Sequence, residues 1–524
     1  MDKKDSDLNK PLRFLVKSSL LIFVAIILSK ILGYVYRMVV ARYYGPEVYG
    51  LLILSFTIFG WFVMFSQLGV GAGILRDVSF YRGKKKEDKV SFIVKFFISF
   101  LLTTGIIAGV ILFIFSDIIA EKIFSNSGLS IFLKFFAFML PLAGLRTVLS
   151  ILMQAYEKIE WLTFLSKISD NLIKFIALVV LIYFGIGLIN IPISYLVAAV
   201  ITVLISYLYC RTSLKKIFSM KPKKDIKIIK GIFRYSLPLI FFGVSMSLIT
   251  QADSFLIGIF RSVKEVGFYN AAVPIAFLLE ISVDLFGQMF FPIVAKEYAR
   301  GNIDLVKQLS QQIGKWVYII GLPLLILFLI FPGALIKTFF GEEYLVAVNA
   351  LRFLSIGVMF MSIFAISKIL LLIRGESNLI FKDTLIVLVL NIILNLLLIP
   401  KYGINGAAVA TMVSFILLGL IFAFQSWKYL KIVPLRRKII RISIVALIPS
   451  VILLLVKRLM EINFITLIII AVLFLLVYSI LLLLTGCLDR NDKFVLDSIK
   501  RKLFKNQSKL PDEKQRAMYS ERHK

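Results

Sequence analysis

Apolar residues run along this chain in blocks of about 20, each long enough for a hydrocarbon core of roughly 30 Å, with short polar breaks between them. Fourteen blocks can be read, at 15–40, 50–75, 91–115, 130–154, 160–184, 188–210, 232–260, 267–295, 308–332, 345–373, 377–400, 404–427, 438–456 and 463–486. Segments this long and this apolar must satisfy their backbone internally, which in lipid means helices. The pattern predicts an all-α polytopic membrane protein of about 14 transmembrane helices. The first block is long and is followed at once by another, so it reads as a span rather than a cleaved leader.

Composition agrees, since 60% of the residues are hydrophobic, well above the share usual in soluble domains. The net charge of +31 could suggest nucleic acid, but its placement argues for topology. The loops on one predicted side carry eight of the 61 Lys and Arg, and most of the rest lie on the other side or in the tails. The positive-inside bias then puts both termini in the cytoplasm of a multi-pass protein of the cell membrane. The basic segments 211–231 and 488–524 set that topology, and anionic lipid head groups are their natural partners, at around 1 kcal/mol per basic residue. Cys210 and Cys487 fall at cytoplasmic span ends and imply no disulfide or metal framework.

Two corners look alike. "VARYYGPEVYGLL" (39–51) has a fainter copy in "FRSVKEVGFYNAA" (260–272), with Glu47-Val48 and Glu265-Val266 separated by 218 residues. The same offset carries Arg82-Gly83 onto Arg300-Gly301, and Gly185 onto Gly403. Three landmarks at one offset, each at a span end, predict a duplicated unit. Six spans separate equivalent points, an even number, so the halves share one orientation about an axis along the membrane normal. The expected organisation is a tail at 1–14, an N-lobe at 15–210 (spans 1–6) and a basic cytoplasmic linker at 211–231. A C-lobe at 232–430 (spans 7–12), two further spans at 431–487 and a basic tail at 488–524 complete it.

Four stretches carry a family resemblance: "SKILGYVYRMVVARYYGPEVYGLLILS" (29–55), "FSQLGVGAGILRDVSFYRGKKK" (65–86), "SLPLIFFGVSMSLITQADSFLIGIFRSVKEVGFYNAA" (236–272) and "YGINGAAVAT" (402–411). With the span count they resemble the polysaccharide-exporter branch, including Wzx-type oligosaccharide flippases, of the multidrug/oligosaccharidyl-lipid/polysaccharide flippase superfamily. The resemblance implies a MATE-like, alternating-access fold and transfer of an isoprenoid-diphosphate-linked glycan from the inner to the outer leaflet. It implies a lipid-linked glycan as partner, with glycan-assembly enzymes as neighbours in the pathway, and no nucleic acid. A monomer suffices for such a carrier.

Embedded charges, costly at a helix centre unless they face protein or water, show where such a substrate would sit. Spans 1–6 set Lys30, Arg37, Lys95, Lys134, Arg146, Lys167 and Lys174 against Asp170. Lys30, Tyr34 and Arg37 share one helix face, as do Arg146, Ser150 and Gln154, while Lys167, Asp170, Asn171 and Lys174 form a third stripe. Lys95 and Lys134 sit near span ends and can snorkel. The substrate-binding candidates are therefore Lys30, Arg37, Arg146, Lys167 and Lys174, converging on a cationic cavity that would concentrate a diphosphate. Spans 7–12 set Lys315, Arg352 and Lys368 against Asp253, Glu280 and Asp284. Asp253, Glu280, Asp284 and Arg352 are candidates for coupling or gating: the carboxylates could take Na⁺ or H⁺, or pair with Arg37 or Arg352 as a latch. Asn391 and Asn395 make a polar pair on span 11 that reads as helix–helix glue.

No other cofactor or metal is expected. A membrane-embedded glycosyl-transferring enzyme is disfavoured, because the outer loops are short and the one histidine is His523. A cation-coupled multidrug antiporter of the related branch is the alternative, and the cationic first half argues against it.

Overall fold

The structure, a computed structural model, describes residues 3–185, 187–220, 224–435, 438–459 and 463–487, with side chains from residue 27 onward except 237–243, 246, 285, 288–289 and 292. Seventeen α-helices make up nearly all of it, and no strand occurs among the described residues. In chain order they are α1 (Lys3–Gln67), α2 (Gly71–Gly83), α3 (Glu87–Ile118), α4 (Gly128–Ala155), α5 (Ile159–Thr163) and α6 (Asp170–Tyr183). Next come α7 (Asn190–Ser213), α8 (Lys215–Ser219), α9 (Ile226–Phe260), α10 (Val263–Ala276), α11 (Ile281–Ala299) and α12 (Ile303–Ile330). The chain finishes with α13 (Pro332–Phe339), α14 (Val348–Arg374), α15 (Ser377–Leu430), α16 (Lys438–Leu459) and α17 (Phe464–Leu484).

Ten described helices are long and apolar enough to cross a membrane. Two of them do so twice. Helix α1 breaks at Gly45 (φ 81°, ψ 176°), a conformation that only glycine reaches cheaply. Pro46 then restarts the helix without needing an N–H partner. Helix α15 breaks in the same way at Gly403 (φ 55°, ψ −134°). The run α5–α6, joined by a π-helical stretch at Phe164–Ser169, and the long α9 complete the fourteen spans that the hydrophobic blocks predict.

The described residues up to Pro434 form one compact unit and those from Leu435 onward a second. Within the first, α2, α3, α4 and α7 bury Val94, Phe97, Leu149 and Leu152 in one core. The basic linker is not suspended in water. Lys216 pairs with Glu87 at 2.7 Å and Lys89 with Asp225 at 3.3 Å, while Ser91 Oγ donates to the Ile217 carbonyl at 2.6 Å. Ile217, Ile228, Ile229 and Ile232 are buried in that same core, so α8 and the opening turns of α9 rest on the first six spans. Spans 8–12 bury Phe290, Val294 and Ile366 in one cluster, and Leu371, Val387, Leu418 and Phe422 in another. In the second unit, α17 starts with a capping box between Asn463 and Thr466, and Lys438 Nζ donates to the Gly486 carbonyl at 3.4 Å.

The two look-alike corners pack against each other. A Cβ added at Gly50 would lie 1.9 Å from the Val263 carbonyl oxygen, and one added at Gly267 would lie 1.9 Å from that of Pro46. The contact is reciprocal, as a twofold-related pair of helices requires, and only glycine lets the backbones approach this closely. This end of the unit is called here the corner face, and the opposite end, where the linker lies, the linker face.

Candidate functional site

A cavity of about 500 Å³ lies between the first and second groups of six spans. Helix α1 contributes Lys30, Tyr34 and Arg37 before its break and Phe56 and Thr57 after it, and α6 adds Asn171 and Lys174. Thr250, Gln251 and Ser254 of α9, with Asn270 of α10, form the opposite wall. Three cations thus face the space, and no carboxylate lines it among the described residues.

Each cation is held differently. Lys174 is buried, its Nζ 3.0 Å from Asn171 Oδ1 and over the rings of Tyr195 (4.6 Å) and Tyr36 (5.0 Å). Ring faces stabilise an ammonium without neutralising it. Arg37 is exposed to the cavity, and no hydrogen bond or ion pair joins it to a described residue. Lys30 Nζ lies 2.6 Å from Asp284 Oδ2, across the two groups of spans.

Arg146 and Lys167 do not line this cavity. Arg146 points back into its own half, 2.9 Å from Asp170 Oδ1 and 3.3 Å from the Ser166 carbonyl. The cause is the π-helical stretch at Phe164–Ser169. It inserts a wider turn into span 5, so the residues that follow are rotated relative to an ideal α-helix. Asp170 meets Arg146, Asn171 and Lys174 reach the cavity, and Lys167 is left exposed elsewhere. Lys134 pairs with Asp117 at 2.8 Å and Lys95 donates to the Met220 carbonyl, so neither contributes to the site.

The acids of the second half separate into two groups. Asp284 holds Lys30, and Glu280, in a 3₁₀ turn at Phe277–Glu280, lies within electrostatic reach of Asp284, Lys30 and Lys368. Arg352 is bound to the Leu329 carbonyl and Asn349 Oδ1, and to none of the three carboxylates. Gln288, next along the Glu280–Asp284 stripe, lies outside the described side chains. Asp253 stands apart, fully enclosed by neutral groups: Tyr269 Oη donates to it at 2.5 Å, Asn395 Nδ2 at 2.8 Å, and Thr411 also donates. Asn395 in turn donates to Asn391 Oδ1 at 3.1 Å, and the Oδ1 of Asn395 is buried without a partner. The asparagine pair read as helix glue is therefore half of a carboxylate cage. One oxygen without a donor, beside a carboxylate with no described counter-ion, suits a proton or a hard cation.

Sequence inspection missed two features. Asp383, buried on α15 and hydrogen-bonded with Gln425, lies inside the apolar block 377–400. A carboxylate within such a block was the available signal. Arg42 donates to the carbonyls of Lys337, Thr338 and Phe339 at the C-terminal end of α13. A guanidinium there meets the negative end of the helix dipole, and no sequence spacing announces such a partner. Tyr344 Oη adds a bond to the Ala41 carbonyl at 3.0 Å.

Comparisons with known proteins converge. The family profile described as polysaccharide biosynthesis protein matches residues 15–298, and one described as MatE matches 238–397. The chain is 25% identical over 394 residues to the putative O-antigen transporter of Shigella flexneri, covering 72% of this chain and 89% of that one. Among solved structures, it resembles the lipid II flippase MurJ in an inward closed conformation, with a TM-score of 0.71 at 19% identity, over 88% of this chain and 98% of that one. It also resembles an inward-facing multidrug resistance MATE family transporter, with a TM-score of 0.65 at 13% identity over 77% and 94% of the two chains.

Proposed function

The chain belongs to the polysaccharide biosynthesis protein family, and on that premise we propose that it is a flippase, moving an isoprenoid-diphosphate-linked glycan from the cytoplasmic to the outer leaflet. One observation carries the chemistry: Lys30, Arg37 and Lys174 face a single cavity whose wall holds no described carboxylate. Positive groups in a low-dielectric hollow concentrate anions, and a diphosphate is the anion that such a lipid presents. An organic cation, the cargo of a multidrug antiporter, would be repelled from the same wall.

The charge bias along the chain supports placing the linker face in the cytoplasm of a cell-membrane protein. In the present state the corner face is sealed by backbone packing at Gly50 and Gly267, whereas the linker face is bridged by the Lys30–Asp284 pair, which water reaches. Substrate would then arrive from the cytoplasmic side. Its diphosphate competes with Asp284 for Lys30 and reaches Arg37, while the isoprenoid tail stays in lipid. The two groups of six spans rock about the site, and the ligand biases them only as far as it prefers one state over the other. Asp253 and its amide and hydroxyl partners serve, on this reading, as the seat of a coupling Na⁺ or H⁺. Arg352 and Glu280 act on gating rather than on the substrate.

The test is flipping of a fluorescent isoprenoid-diphosphate sugar in proteoliposomes. Arg37→Ala is expected to cut the rate at least tenfold at unchanged protein level. Full activity of Arg37→Ala combined with Lys174→Ala would overturn the cationic site.

A further inference from the structure

The two walls of the cavity differ in chemistry. The cations and the exposed ring of Phe56 belong to the first six spans, whereas the facing wall of α9 and α10 offers uncharged Gln251, Ser254 and Asn270. Packing fixes their relative heights. Leu54 touches Gly258 and Gly60 faces Gln251, so Phe56 and Thr57, between them, stand level with Ser254. Tyr34 Oη donates to the Pro274 carbonyl at 3.1 Å. One turn toward the corner face from that contact brings Arg37 level with Asn270.

Hydrogen bonds also fix the polarity of this wall. Asn270 Nδ2 spends both its hydrogens, on Ser254 Oγ at 2.8 Å and on the Val266 carbonyl at 3.0 Å. Its Oδ1 is left as a pre-oriented acceptor, with no described donor. Ser254 Oγ, having accepted from Asn270, keeps its own hydrogen to give. An acceptor and a donor therefore stand side by side. Ionised phosphate, which only accepts, is repelled by an amide oxygen, whereas a pair of neighbouring sugar hydroxyls both gives and receives. Phe56 is 40% exposed although its ring is braced by Phe59, Phe136 and Tyr195. Such a rigid open face suits the C–H side of a pyranose.

We propose that Phe56, Ser254 and Asn270 form a subsite for the sugar directly attached to the diphosphate. The ring lies on Phe56, one hydroxyl accepts from Ser254, and its neighbour donates to Asn270 Oδ1. This rests on the reading of Arg37, Lys30 and Lys174 as the phosphate wall and extends it. Phosphate is held by the first half alone, whereas the first sugar lies between Phe56 of that half and Ser254 and Asn270 of the other, so a glycosylated ligand draws the two halves together where a bare diphosphate does not.

The experiment compares two probes on the full-length protein in nanodiscs: an isoprenoid diphosphate and its glucosyl derivative. Wild type is expected to bind the glucosyl lipid more tightly. Ser254→Ala, Asn270→Ala and Phe56→Leu should each lose about tenfold, equivalent to roughly 1.4 kcal/mol, for the glucosyl lipid and nothing for the bare diphosphate. Arg37→Ala should weaken both probes alike. Asn270 is buried, so thermal unfolding is measured alongside, and the milder Ser254→Ala and Phe56→Leu decide if Asn270→Ala is unstable. Equal affinity of wild type for the two probes, or equal loss for both in the three variants, overturns the subsite. Failure of wild type to bind either probe overturns the phosphate reading beneath it, a different result.

Discussion

Lys30 and Asp284 stand 254 residues apart in the chain and 2.6 Å apart in space, one in each group of six spans. Their side chains keep 35% and 49% of their exposure. A pair this wet is worth at most about 1 kcal/mol, too little to hold a fold but enough to bias two states about fivefold. Lys30→Ala and Asp284→Ala should each leave thermal stability nearly unchanged. Both should open the linker face, read as faster modification of a cysteine at Thr57 by a thiol reagent from that side. Asp284→Ala retains the cation and should keep substrate affinity, whereas Lys30→Ala should lower it severalfold. Equal affinities for the two variants would remove Lys30 from the phosphate wall.

On the corner face the seal is steric. A methyl group at Gly50 or Gly267 would sit 1.9 Å from a carbonyl oxygen of the facing helix, so backbone must move. Gly50→Ala and Gly267→Ala should part the corners, expose the same cysteine from the opposite side, and reduce flipping at least tenfold. Gly60→Ala is the control. Its added carbon would meet Gln251 Oε1 at 3.6 Å, an ordinary contact, and activity should stay near that of wild type. A sealed corner face in Gly50→Ala would show that other contacts close it, with the bonds from Arg42 to the end of α13 the first to examine.

Asp253 is a separate matter, because every described group around it is neutral and three of them donate. Asp253→Asn keeps the shape but turns an amide donor toward other donors. The mismatch should cost on the order of 1–3 kcal/mol, seen as a lower melting temperature. If the carboxylate seats the coupling ion, flipping by the variant should lose its response to imposed Na⁺ and pH gradients while substrate binding persists. Retained dependence on both gradients would move coupling elsewhere, to Glu280 or Asp383.

Hydrophobic block length is set by bilayer thickness, so the number of spans was legible, including those hidden inside the two broken helices, while span ends such as 50–75 against the end of α1 at Gln67 were missed by several residues. The 218-residue offset was legible for a similar reason. Gly185 and Gly403 both adopt positive φ, at 68° and 55°, and a backbone that demands glycine leaves its mark on sequence. Lys30 and Arg37 reached one cavity because ordinary helix spacing holds along that part of α1. Spacing fails where the helix changes kind. The π turn at Phe164–Ser169 has no residue signature, yet it decides that Asp170 faces Arg146. Partners far apart in sequence, such as Lys30 with Asp284 or Arg42 with α13, depend on how helices dock, which local pattern does not encode.

The Arg146–Asp170 pair gives the sharpest contrast with the cavity cations. It is partly buried, with side chains 31% and 22% exposed, and is bonded at 2.9 Å. Removing one partner strands the other, so Arg146→Ala and Asp170→Ala should each destabilise by about 1–3 kcal/mol. The double variant removes both charges together and should recover much of that loss, a coupling that a double-mutant cycle measures directly. Flipping per folded molecule should follow the same order, with the double variant more active than Arg146→Ala alone. A phosphate ligand would behave otherwise: loss of Arg146 would then be felt in full whatever stood at position 170. Recovery in the double variant assigns Arg146 to the scaffold behind the site, leaving Lys30, Arg37 and Lys174 as the groups that meet the substrate.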